Sequence, residues 1–152
     1  MKKLVIGLGN PLLGDDGVGV AVARELAGEN LGVDVVEMNT SGFSVAEAML
    51  GYDVVVVVDA IAGRKPGRIH RFSLDAMSQC MHFTSAHDTN IATAIEFMKR
   101  NQDFPRHVKF VCVEIIPKNE FDEGMSEDVK KAVIEAKNAV LDELNNEVME
   151  VR

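Results

Sequence analysis

Two cysteines, Cys80 and Cys112, are too few and too isolated to form a disulfide framework or a zinc knuckle. Cys112 stands inside a β-like run and reads as a small core residue. Positive charge is also scarce: 16 Lys and Arg against 24 Asp and Glu leave a formal net charge of −8. That balance excludes nucleic acid as the expected partner, because phosphate binding needs a basic face. No apolar run approaches the roughly 20 residues that a membrane helix requires. Lys2-Lys3 leads into a strand-like run rather than a signal-peptide core with a cleavage site, so no membrane partner and a cytoplasmic location are expected. Two protease signatures are missing as well. There is no H-E-x-x-H helix, and no G-x-S-x-G elbow to activate Ser41, Ser44 or Ser85.

What is present describes an ordinary globular chain. Hydrophobic residues make up 47% and charged residues 26%, with mean hydropathy near zero, which argues against disorder. At 152 residues the chain fits one domain, 1–152, with enough length to bury a core. There is no repeat, low-complexity tract or linker. Strand and helix patterns alternate. Strands are predicted at Lys3 to Gly7, Val33 to Met38, Val54 to Val58, Arg68 to Phe72 and Val108 to Val113. The five consecutive valines belong in the middle of a parallel sheet covered on both faces, whereas the polar–apolar alternation of Arg68 to Phe72, after a turn at Pro66-Gly67, suits an edge strand that is expected to be antiparallel. Helices are predicted from Asp16 to Leu26, Phe43 to Leu50 (with Ser41 as N-cap), Asp88 to Lys99 and Ser126 to Glu147. The last carries Val129, Val133, Ala136, Val140 and Leu144 on one stripe. This order implies an α/β fold, a three-layer, doubly wound, mostly parallel sheet flanked by helices. Ligands of such sheets bind beyond the carboxyl ends of the strands, where the strand order switches sides.

The first of those ends is the most unusual stretch of the chain. Gly7 to Gly19 holds five glycines in thirteen residues, a backbone that can approach a ligand closely. It opens like a dinucleotide fingerprint with Gly7-x-Gly9, but the third glycine is replaced by Leu12, at the position that permits close helix–strand packing. Asp15 and Asp16 then occupy the helix start, where they would repel a pyrophosphate. Two acids there suit a cation, or simple complementarity to the helix dipole. Asp15 is expected to be the structural member, an N-cap or first-turn acid, and Asp16 the functional one.

Asp59 closes the valine run and is placed by it at the same edge, either at the site or as a turn acid bound to neighbouring amides. The third candidate is Ser85-Ala86-His87-Asp88, ahead of a helix. Histidine as a residue type suits a metal ligand at neutral pH, so His87 is either such a ligand or a hydrogen-bonded surface residue; Asp88 could cap the helix or orient the imidazole. His82 could pair with His87, although the spacing does not require it. His70 and His107 flank or begin strands and show no partner. Two carboxylates and an imidazole make an incomplete set that suits Zn²⁺ or Ni²⁺ and leaves a coordination position open.

The chain resembles the hydrogenase maturation endopeptidases. Their opening motif G-x-G-N-x-x-x-x-D-[DE]-x-x-G matches Gly7, Gly9, Asn10, Asp15, Asp16 and Gly19. Their strand-ending D-A matches Asp59-Ala60, their S-x-H matches Ser85 and His87, and a late Gly-x-Ser matches Gly124 and Ser126. The resemblance implies that Asp16, Asp59 and His87 contact nickel. It implies a partner, the immature large subunit of a nickel–iron hydrogenase, cut once near its C-terminus after nickel insertion. The nickel is supplied by that precursor, with no tightly held cofactor of the protease's own, and a monomer is expected. Asp16 stands where many relatives carry Glu, one methylene longer. The stretch from Glu114 to Asn119 fits the family poorly, and nothing is carried over to it. Two other readings compete. One is a nucleotide-dependent enzyme with Glu37 on a ribose, opposed by Leu12 and the Asp pair. The other is a non-catalytic accessory protein or chaperone that binds a hydrogenase.

Overall fold

The computed structural model describes residues 1–39, 42–77, 86–118, 121–122 and 124–150. Five strands form one sheet in the order β2-β1-β3-β5-β4. They are β1 (Lys3–Leu8), β2 (Asp34–Met38), β3 (Val54–Ala62), β4 (Ile69–Ser73) and β5 (His107–Ile115). The first three and β5 run parallel; β4 pairs antiparallel with β5 at the edge, as its alternating sequence predicts. Helices α1 (Val18–Ala27) and α5 (Glu127–Glu150) cover one face. Helices α2 (Gly42–Ala48) and α4 (Ala86–Met98) cover the other. The short α3 (Leu74–Met77) follows β4 and has no counterpart among the predicted helices. The fold class is the one expected from sequence.

The valines explain the centre. Val54 to Val58 are all fully buried, and the run divides between two cores because alternate residues point to opposite faces. Val54, Val56 and Val58 pack under α1 and α5, while Val55 and Val57 pack under α2 and α4. Burying each valine stabilises the fold by about 1.5–3 kcal/mol before entropy is counted. On α5 the five residues of the predicted stripe are all buried, joined by Ala132.

Boundaries differ at the edge that matters. β3 does not stop at Val58. Ala60, Ile61 and Ala62 carry it on, since β5 remains beside it through Ile115 and satisfies its backbone. Asp59 therefore lies within the strand, paired with Cys112, and not in a turn after it. Likewise α1 begins at Val18, because Gly14–Gly17 forms a separate 3-10 turn that holds Asp15 and Asp16. Cys112 is fully buried, as its β-like surroundings suggest. Ser41, Cys80, His82 and Ser85 lie outside the described residues. No helix among the described residues is long and apolar enough to cross a membrane.

Candidate active site

The strand order reverses between β1 and β3: α1 leads from β1 to β2 on one side, and α2 leads back over β1 to β3. The loop after β1 and the upper part of β3 therefore flank the switch point, where open α/β sheets bind ligands. Asp16 stands on the first and Asp59 on the second.

The glycine loop is folded tightly onto that edge. Gly9 has φ of 145°, and a Cβ there would lie 2.1 Å from the carbonyl oxygen of Asp16. Gly19, inside α1, lies so close to the sheet that a Cβ would fall 2.3 Å from the carbonyl oxygens of both Leu8 and Val58. The close helix–strand packing that Leu12 cannot provide is thus supplied by Gly19, because the inserted 3-10 turn delays the start of the helix. It draws the first turn of α1 onto Val58, the neighbour of Asp59.

The two adjacent acids have different duties. Asp16 Oδ2 accepts the backbone N–H of Asn10 (3.0 Å), while Asn10 Oδ1 accepts the N–H of Leu12 (3.0 Å). Asn10 thereby fixes both the aspartate and the turn that follows. Asp15 caps neither helix start in its own segment. Its Oδ1 accepts the backbone N–H of Ser126 (2.7 Å) and its Oδ2 accepts the Ser126 hydroxyl (2.9 Å). Ser126 is the residue just before α5, and its carbonyl oxygen accepts the N–H of Lys130. Asp15 is structural, as expected, but its target is a helix from the other end of the chain.

Asp59 is 4% exposed, and its Oδ1 accepts the N–H of Ala60 (2.8 Å). Its neighbours in alternation, Val57 and Ile61, belong to the core under α2 and α4, so Asp59 faces that side of the sheet. α4 packs there through Ile91, Ala94 and Ile95, and its C-terminal end leads on towards the start of β5. Its first turn, with His87 as second residue, therefore stands at the same carboxyl edge as Asp59. Asp88 is the third residue of the helix and not its cap. The fold brings the backbone positions of Asp16, Asp59 and His87 to one edge from three separate elements.

The remaining acids and histidines behave differently. Glu37 lies on β2 and is held by Arg24, whose Nε and Nη2 donate to its carboxylate at 3.1–3.2 Å, so the acid proposed to bind a ribose is already engaged. His70, which has no visible partner in the sequence, is paired: its Nε2 lies 2.8 Å from Glu114 Oε1. Glu114 is 8% exposed and also accepts the N–H of Lys65 (2.6 Å) through Oε2. The Lys65 amide, then His70, hold its carboxyl below the ordinary carboxylate range despite burial. The one signal that could have found it is a single acid inside the apolar run from Phe110 to Ile116.

Comparison with known proteins gives the geometry a context. A family model described as hydrogenase maturation protease matches residues 20–143. The match begins after the glycine loop, so it does not depend on that motif. FrxA of Pyrococcus furiosus is 31% identical over 85% of this chain and 95% of its own length. The NiFe hydrogenase maturation protease HybD from Thermococcus kodakarensis superimposes with a TM-score of 0.79 at 27% identity, covering 93% of this chain and 98% of that one. The hydrogenase maturating endopeptidase HybD from Escherichia coli, at 24% identity, shares the fold with a TM-score of 0.81 over 97% of this chain and 94% of its own. With most of its length matched by the family model and its fold shared with these endopeptidases, the chain belongs to the hydrogenase maturation protease family and is a peptide hydrolase.

Proposed function

We propose that this protein is a single-domain, monomeric, cytoplasmic endopeptidase that removes the C-terminal extension from the nickel-loaded large-subunit precursor of a nickel–iron hydrogenase. What supports the reading is the topology, which sets Asp16 after β1, Asp59 on β3 and the first turn of α4, where His87 lies, towards the carboxyl ends of the strands. Two carboxylates and an imidazole can complete the coordination of a nickel ion already held by the precursor, with the metal arriving as part of the substrate. Contact with that nickel would place the scissile carbonyl beside Asp16 and Asp59, either of which could take the proton of an attacking water. Bound to the precursor, the nickel supplies Lewis acidity. The burial of Asp59 and its bond to the Ala60 amide support a fixed carboxylate, as such a task requires.

Intact-mass spectrometry of the matching precursor, incubated with the protein with and without nickel, tests the reading. Loss of a short C-terminal peptide only in the nickel-loaded reaction is expected. Asp16→Ala, Asp59→Ala and His87→Ala should each reduce cleavage by about a hundredfold or more. Full activity in all three variants would remove the assignment.

A further inference from the structure

On this acidic molecule several of the 16 Lys and Arg residues are paired with carboxylates. Arg24 is paired with Glu37, Arg71 with Asp142 and Glu143, Lys99 with Glu96, and Lys137 with Glu29. The turn after β3 is different. Arg64, Lys65 and Arg68 lie within five residues, all three are exposed, and among the described residues none is paired with a carboxylate.

That turn is also built with unusual care. Glu114, which the proposed chemistry does not use, spends its polar groups on it. Its carboxylate accepts the N–H of Lys65 (2.6 Å), its carbonyl accepts the N–H of Gly67 (2.8 Å), and its own N–H donates to the carbonyl of Arg68 (2.8 Å). The other carboxylate oxygen is held by His70 at 2.8 Å. Gly63 lies against the same carboxylate, where a Cβ would fall 2.2 Å from its carbon. A buried acid is an expensive way to hold a loop whose side chains do nothing. It fixes the backbone so that three exposed cations stand at the carboxyl edge of the sheet, five residues and more beyond Asp59. Ordering them in advance lowers the entropy cost of meeting an anion.

Resting on the maturation-protease reading, we propose that the Arg64–Lys65–Arg68 turn, anchored by Glu114, recognises carboxylates on the hydrogenase precursor and sets its affinity. Their source is either acidic residues of the C-terminal extension or acidic residues on the folded body of the precursor. Both present the same chemistry to a cationic turn, and both would draw the precursor to this edge of a chain whose net charge is −8.

The test combines binding and cleavage of the nickel-loaded precursor by the wild type and by the triple variant Arg64→Ala, Lys65→Ala, Arg68→Ala, with thermal unfolding checking that the variant is folded. At low salt the variant should raise Kd and KM by about tenfold while kcat is held, and the gap should close at high salt. Replacing acids of the extension by amides should reproduce the loss with the wild type and leave the variant unmoved, if the extension is the source. The same result on replacing body acids instead identifies the body. Unchanged Kd, KM and salt dependence in the variant would overturn the proposal. Wild type that binds without cutting would remove the protease reading alone, with the binding series still judging the turn. Wild type that does not bind the precursor would remove both.

Discussion

Asp15 grips Ser126 with both carboxylate oxygens across 111 residues of sequence. The opening family motif thus closes on the late Gly-x-Ser: the acid next to Asp16 holds the residue just before α5. The N–H of Asp122 donates to the carbonyl oxygen of Leu12 (2.8 Å) and braces the same two segments. Asp15→Ala should cost about 1–2 kcal/mol by urea denaturation, the range for losing a charge-assisted helix cap. Asp15→Ala with Ser126→Ala should cost clearly less than the sum of the two single changes. Simple additivity would mean that the contact does not couple the segments.

Gly19 allows α1 to touch the sheet. Gly19→Ala would drive a methyl group into the carbonyl oxygens of Leu8 and Val58, two backbone groups that have little room to move. We expect a loss of about 1–3 kcal/mol, with reduced precursor cleavage because the 3-10 turn carrying Asp16 is displaced. Measured stability equal to wild type would show that α1 can lift from the edge at no cost.

Asp59 separates folding from chemistry. Asp59→Asn keeps an oxygen for the Ala60 amide and nearly the same volume, so the fold should lose no more than about 1 kcal/mol. Cleavage should nevertheless fall by about a hundredfold, because the amide cannot take a proton and is a poor metal ligand. Retained cleavage by a folded Asp59→Asn would assign this residue to the scaffold.

Glu114 links stability to acid. Its carboxyl is held below the ordinary range by the Lys65 amide and His70, while in the unfolded chain it titrates near about 4.3. The charged form is therefore favoured by folding. That contribution is complete above the unfolded value and is lost as pH falls through the depressed folded value. Glu114→Gln should be less stable than wild type at neutral pH, and the gap should narrow as acid is added. Parallel stability curves for the two proteins down to about pH 3 would contradict the linkage.

Much of this was legible before any tertiary contact was known. The valine run announced a central strand, the alternation around His70 announced an edge strand, and the apolar stripe from Val129 to Leu144 announced α5 with all five residues buried. Each rests on local periodicity, which a sequence displays directly. The end of β3 was not legible, because Ala60 to Ala62 are in a strand only while β5 stands beside them. The partner of His70 was hidden for the same reason: Glu114 is 44 residues away and meets it only through antiparallel pairing of β4 with β5.

By itself, then, the sequence determined the elements, the fold class and the identities of Asp16, Asp59 and His87 as candidates, since these follow from residue types and short spacings. Tertiary structure decided which acid of the pair turns away to Ser126, which glycine admits the helix, and which turn Glu114 holds. Those choices depend on contacts between segments distant along the chain, where register and close approach, not composition, set the energy.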